Sequence, residues 1–158
     1  MDVRLLSKIG VTIVIVVMII WGVRDLRHTL KFDISQLFTQ LVKQAHLEQP
    51  FQTSKGIPIQ VSDEMRYALQ LPLTVQQIHT LMQAKDDIIS KSVYCNLISH
   101  KMRGDELSGV VSVSIDIESH SRLNSYHISD AMLRITLRST ENLKSLDRKY
   151  IVYSVEQI

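Results

Sequence analysis

The sequence predicts an α+β chain: a single N-terminal transmembrane helix, an amphipathic helix, and then a mainly antiparallel β domain. Three observations carry this. An uncharged apolar run fills Ile9 to Val23. Apolar residues then recur at helical spacing from Leu26 to Ala45. Further on the period drops to two, in Val111-Val113-Ile115-Ile117 and again in Leu133-Ile135-Leu137.

The membrane span comes first. Thr12 is the only polar side chain between Ile9 and Val23. Extended back to Leu5 the run has 19 residues, about 28 Å of helix against a hydrocarbon core of about 30 Å. Lys8 can snorkel to one interface and Trp21 suits the other. A cleaved signal peptide is the competing reading, with Arg4 and Lys8 as its basic region. The run ends Trp21-Gly22-Val23-Arg24 with neither an Ala-x-Ala pattern nor a lipobox cysteine, which favours an uncleaved anchor. Basic residues flank both sides: Arg4 and Lys8 before, Arg24, Arg27 and Lys31 after. The short leading tail is expected to stay inside. Residues 24–158 would then be translocated, in a Gram-negative cell to the periplasm, from a single-pass position in the bacterial inner membrane.

The amphipathic helix follows. Leu26, Leu30, Ile34, Leu37, Phe38, Leu41, Val42 and Ala45 share one face, and Lys31, Asp33, Gln36, Gln40 and Lys43 occupy the other. Pro50 marks its end. It packs either on its own domain or along a partner's stalk. The expected divisions are 1–4 cytoplasmic tail, 5–23 anchor, 24–48 amphipathic helix and 49–158 periplasmic β-rich domain.

Within that domain, Pro58 confines Ile59-Gln60-Val61 to an edge strand or an irregular segment. Residues 63–73 fit a short helix or a strand equally. Thr74 with Gln77 makes a capping box, Leu73 and Ile78 a hydrophobic staple, and Val75, Ile78, Leu81 and Met82 one apolar face, so a helix is expected there, closed by Lys85-Asp86-Asp87. Val93, Cys95 and Leu97 alternate with Tyr94 and Asn96 as a strand. Arg103-Gly104-Asp105-Glu106 is a turn signal, residues 107–118 form a long strand, 119–125 a polar connection, Leu133 to Leu137 a third strand, Lys144 to Lys149 a charged loop, and Tyr150 to Val155 a last strand. Five or six strands fall short of the roughly eight of a closed barrel. Either a helix covers one face, or another chain supplies the missing strands.

Composition excludes several functions. The chain has 158 residues, 45% apolar and 22% charged, an ordinary globular balance rather than a disordered one. Its 18 Lys and Arg stand against 16 Asp and Glu, a net charge of +2, with no basic excess for direct nucleic-acid binding. A single cysteine, Cys95, excludes an internal disulfide framework and a Cys-based zinc site. It is either a buried thiol or the site of an intermolecular disulfide. The histidines at 28, 46, 79, 100, 120 and 127 show no metal-ligand spacing. No nucleophile elbow, phosphate loop or dinucleotide fingerprint is present. Asp116 and Glu118 read as a solvated strand face rather than a catalytic pair, and Ser112 and Ser114 lack a patterned base. A non-enzymatic protein with no cofactor and no metal site is expected.

The stretch His127-Ile128-Ser129-Asp130-Ala131-Met132-Leu133-Arg134-Ile135-Thr136, following a strand like Val111 to Ile117 and preceding one like Tyr150 to Val155, resembles the ToxS/VtrC family of vibrios and their relatives, with VtrC the nearer in size. The specific part covers roughly 30 of the 158 residues. The aromatic residue usual just before the Ile-Ser-Asp is displaced here to Tyr126. What the resemblance implies is a non-enzymatic accessory partner, in a heterodimer, of a ToxR/VtrA-like membrane-bound transcription regulator with a cytoplasmic winged helix. The paired periplasmic domains would form a lipocalin-like barrel that binds a bile salt and controls virulence genes. If the strands curve around such a lumen, alternation places Val111, Val113, Ile115, Ile117, Leu133, Ile135 and Leu137 on its lining. The same residues equally suit a solid core. A pilin-like or secretion-system subunit is the structural rival, though a prepilin peptidase site and a Glu near the start of the apolar run are missing.

Overall fold

The computed structural model describes residues 3–140 and 149–158. It is α+β, with the order α1 (Val3–His46), α2 (Asp63–Leu69), α3 (Val75–Gln83), β1 (Ile88–Arg103), β2 (Glu106–Ser119), β3 (Tyr126–Ser139) and β4 (Tyr150–Gln157). The chain divides into two compact units, Met1–Ile34 and Ser35–Ile158. The division falls inside the helix expected over 24–48.

In the first unit α1 is long and apolar enough to cross a membrane, with a mean hydropathy of 2.2 in its most apolar window. Its side chains from Ile9 to Val23 are exposed, as a lipid-facing helix requires. Leu26 and Leu30, assigned by periodicity to the same apolar face as Leu37, are exposed as well.

The second unit is a four-stranded antiparallel meander, β1-β2-β3-β4, with the last turns of α1 on one face. Phe38, Leu41 and Val42 are completely buried. On β2, every second residue from Leu107 to Ser119 is buried, which is the period-2 pattern of a half-covered strand. Gly109 interrupts that apolar row, and the Phe38 ring occupies the space its missing side chain leaves. A Cβ there would meet the ring at 2.8–2.9 Å.

The β1–β2 turn is the tight hairpin expected, with Gly104 at φ 63 in the left-handed region. Arg138 on β3 ties it down, donating through Nε (2.9 Å) and Nη2 (2.8 Å) to Glu106 Oε1, while its guanidinium stacks on the Tyr153 ring at 3.6 Å. The Ser119–Ser125 connection is organised by Asp87, whose Oδ2 accepts from the Ser121 N–H (3.2 Å) and from Asn124 Nδ2 (3.4 Å). The expected charged loop at 144–149 lies, except for Lys149, outside the described residues.

The Thr74–Gln77 capping box forms in both directions, at 3.2 and 2.9 Å. Of the expected α3 face, Ile78 and Leu81 are buried but Val75 and Met82 are exposed. A helix of nine residues needs only a narrow stripe to dock. The ambiguous 63–73 region resolves as the short helix α2, capped by Ser62 Oγ accepting from the Met65 N–H at 3.2 Å.

The strand count is corrected. Four strands are found among the described residues, not five or six, because the 51–60 segment turns back on itself. Thr53 N–H donates to the Ile57 carbonyl at 2.9 Å, Gly56 turns the chain at φ 79, and Pro58 has no N–H to offer a ladder. Contact with the sheet is a single parallel bridge, Gln60 to Ile151 on β4. Gln44, buried in α1, fastens the segment from the other side through both its amide atoms, at 3.0 and 3.2 Å to Gln52.

Candidate functional site

All seven inner-face positions, Val111, Val113, Ile115 and Ile117 on β2 and Leu133, Ile135 and Leu137 on β3, lie on one face of the sheet and are 0–1% exposed. They are brought together, but they are covered by the chain's own packing. Burial is uneven across the sheet. On β1, Val93, Cys95 and Leu97 stand directly opposite Ile115, Val113 and Val111, yet each is only half-buried. The core thins toward β1. That strand is also an edge: among the described residues nothing pairs with its outer side. Its 16 residues run for roughly 50 Å, and Ile89, Tyr94, Ile98 and Met102 project from it exposed. Register shifts at Ile88/Ser90 and Leu97/Ser99 bend it. The opposite edge, β4, already carries the Gln60 bridge.

Cys95 sits on the thin side of this core. Burial pushes its thiol up to about 11, with Lys43 opposing. It is therefore protonated at neutral pH and a poor nucleophile in this chain.

The Ile128-Ser129-Asp130 motif has a local structural cause. Asp130 adopts φ 53, a conformation Asp tolerates better than most residues. It does so where the β2–β3 register slips between Val113 and Ile115. Its N–H donates to Ser114 Oγ at 3.2 Å. The bulge brings three polar groups into sequence. Ser129 Oγ lies 3.4 Å from His127 Nε2, and His127 Nδ1 lies 3.6 Å from Asp116 Oδ1. The order imitates a nucleophile–base–acid relay. His127 and Asp116 are 77% and 61% exposed, however, and the spacings exceed the roughly 2.6–3.2 Å of a nucleophile–base hydrogen bond. In open solvent, water competes for each of these partners.

A different constellation has no motif in the sequence. At the end of α1 a cavity of about 190 Å³ opens. Its buried walls are His46, Gln70, Ile78 and Leu81, and its rim includes the exposed Leu47, Glu48, Met82 and Lys85. Lys91 enters from β1 and donates to the His46 carbonyl at 2.5 Å. Lys85 pairs with Glu48 at 2.6 Å. His46 is 1% exposed, and neither ring nitrogen has a hydrogen-bond partner. Burial, reinforced by the Lys91 charge, drives the imidazole down to about 3, so it is neutral. Burial also lowers the Lys91 ammonium, with Glu48 opposing and Lys85 adding to the effect. Two signals were available. His46 continues the row Phe38-Val42 at spacing of four on the apolar helix face, and Lys91 continues the inward series Val93-Cys95-Leu97 backwards by two.

No group of three His, Cys, Asp or Glu side chains that could hold a metal ion converges among the described residues. Comparison of the chain with protein families, with curated proteins and with solved structures finds no match in any of the three.

Proposed function

We propose that this chain is a non-enzymatic, inner-membrane signalling partner that pairs, through β1, with the periplasmic domain of a single-pass winged-helix transcription regulator. In this role it stabilises the regulator and helps to form a bile-salt sensor controlling virulence genes. The observation that supports this reading best is the burial gradient: a fully packed β2–β3 face beside a half-covered, unpaired β1. An unpaired edge of this length invites strand addition. Added strands would cover Val93, Cys95 and Leu97 and satisfy the edge. Since the seven inner-face residues are packed, a shared lumen would lie on the β1 side of them. The apolar helix supplies the anchor that would keep both partners in one membrane.

One observation favours a pilin-like or secretion-system subunit instead. α1 runs unbroken from Val3 to His46, so the apolar run and the domain-packing segment share one helix. The two readings separate on purification. Tagged full-length chain, extracted from the native membrane in mild detergent, is expected to bring down a single-pass winged-helix protein in about equal amount, through an interface of more than about 1,600 Å². Alkaline phosphatase fused after Ile158 is expected to be active. Recovery only of multiple copies of this chain would favour the pilin-like reading. A fusion active only in the cytoplasm would overturn the topology.

A further inference from the structure

Just beyond its apolar run, α1 carries a stripe of charge. Arg24, Arg27 and Lys31 follow one another at steps of three and four, so they fall within about 60° of one another around the helix. All three are exposed, and none has an ion-pair partner among the described residues. Like charges at these spacings repel, so the stripe lacks a counter-charge. Asp25 and Asp33 lie on other sides of the helix. Toward the N-terminus the stripe runs into aliphatic surface. Ile19, Ile20 and Val23 line one shallow groove together with the three cations, and each of the three is exposed as well. In a bilayer crossed by α1, the headgroup layer begins where the apolar run ends, at Val23, and is about 5–7 Å deep. Arg24 and, about 4.5 Å farther along the axis, Arg27 fall inside it. Lys31 lies about 10.5 Å farther along than Arg24. Helical side chains lean toward the helix N-terminus, here toward the bilayer, and the long lysine stem spans the remaining gap.

We propose that this stripe binds an anionic phospholipid, whose phosphodiester oxygens accept from Arg24, Arg27 and Lys31 while an acyl chain lies along Ile19, Ile20 and Val23. The phosphodiester supplies the missing counter-charge. Guanidinium groups match phosphate oxygens in charge and in the spacing of their donors. A free phosphate ion would engage the cations and leave the aliphatic half of the groove bare, whereas a lipid uses both halves, as its own headgroup and chain are arranged in the same order along the bilayer normal. The proposal needs α1 to cross a bilayer. It is independent of the regulator and of the side on which the β-rich unit lies.

Trp21 provides the readout. It is the single tryptophan of the chain, is 75% exposed and lies just under one helical turn before Arg24. The full-length chain is placed in phosphatidylcholine vesicles with a small fraction of phosphatidylglycerol brominated on its acyl chains, or the same fraction of brominated phosphatidylcholine. Bromine quenches a neighbouring indole. Brominated phosphatidylglycerol is expected to quench Trp21 more strongly, corresponding to an enrichment beside the helix of about fivefold or more, the effect of a single basic side chain at an anionic membrane surface. Arg24→Gln, Arg27→Gln and Lys31→Gln combined are expected to abolish the preference, with quenching by brominated phosphatidylcholine unchanged. Lys101→Gln, Arg103→Gln and Arg122→Gln combined, which remove the same charge from exposed positions of the β-rich unit, are expected to keep it. Inorganic phosphate is expected to affect it no more than chloride at equal ionic strength. Equal quenching by the two lipids, a preference that survives the first triple variant or is lost in the second, or its loss to phosphate but not to chloride would overturn the proposal. Recovery of the regulator and activity of the phosphatase fusion are separate readouts, so the failure of one reading is distinguishable from the failure of the other.

Discussion

Phe38→Ala is expected to destabilise the β-rich unit by about 3–5 kcal/mol, the usual range for a fully buried Phe truncated to Ala. The ring is completely buried and is seated on the one inner-face position of β2 that has no side chain. Its loss leaves a void bordered by backbone, which cannot collapse inward as neighbouring side chains can. The seat makes a reciprocal demand. Gly109→Ala places a methyl within 2.8–2.9 Å of the ring and should cost about 1–3 kcal/mol by overpacking. The two changes are in contact, so their effects should not add. Phe38→Leu combined with Gly109→Ala is expected to be less harmful than the sum of the two alone. Amide exchange at Val111 and Leu133, central residues of the buried face, measures the opening free energy in the intact chain. Strict additivity would show that the ring and the glycine do not form one docking point.

The second large effect is acid sensitivity. In the folded chain His46 is held down to about 3 by burial first and by Lys91 second. Unfolded, it titrates near 6.5. The unfolded state therefore binds more protons between these values. The contribution of His46 is constant above about pH 6.5, and stability falls as pH drops from about 6.5 toward about 3. The loss should reach about 2 kcal/mol by about pH 5, and on the order of 3–5 kcal/mol at the lower limit. The charged groups beside the cavity at the end of α1 are Lys85, Lys91 and Glu48. Carboxylates elsewhere also titrate at low pH, so the informative quantity is the difference between wild type and His46→Leu. The variant is expected to lose the pH 5–6.5 slope and to be at least as stable as wild type at neutral pH. An unchanged slope, or an imidazole that titrates near 6.5 in the folded chain, would contradict this account.

Local chemistry carried most of the fold into the sequence. The Thr74–Gln77 box, the Gly104 turn and the alternation in β2 and β3 are decided by neighbours a few residues apart, and each is found where the residues place it. What was not legible depends on contacts distant in sequence. Leu30 and Leu37 lie on the same periodic face, but only Leu37 is buried; periodicity records a face and not what covers it. Ile59-Gln60-Val61 alternates like a strand, yet the turn at Gly56 and the Gln44 clamp give it a single bridge. The inner-face residues were identifiable, whereas the thinning of the core toward β1 required knowing that β1 is an edge. His46 and Lys91 were hidden for a related reason. Each is a polar residue in an apolar series, and only the meeting of α1, α3 and β1 turns two such exceptions into one site.

We propose that β1 is the surface on which a regulator's periplasmic domain pairs. A photo-crosslinking amino acid at Asn96, exposed on β1, in the full-length chain in native membranes tests this most directly, with the same label at the exposed Glu64 on α2 as the control. One dominant adduct is expected from position 96, identified by mass spectrometry as a single-pass protein with a cytoplasmic winged helix, and none from position 64. A ladder of chain-to-chain adducts, or equal capture from both positions, would contradict it.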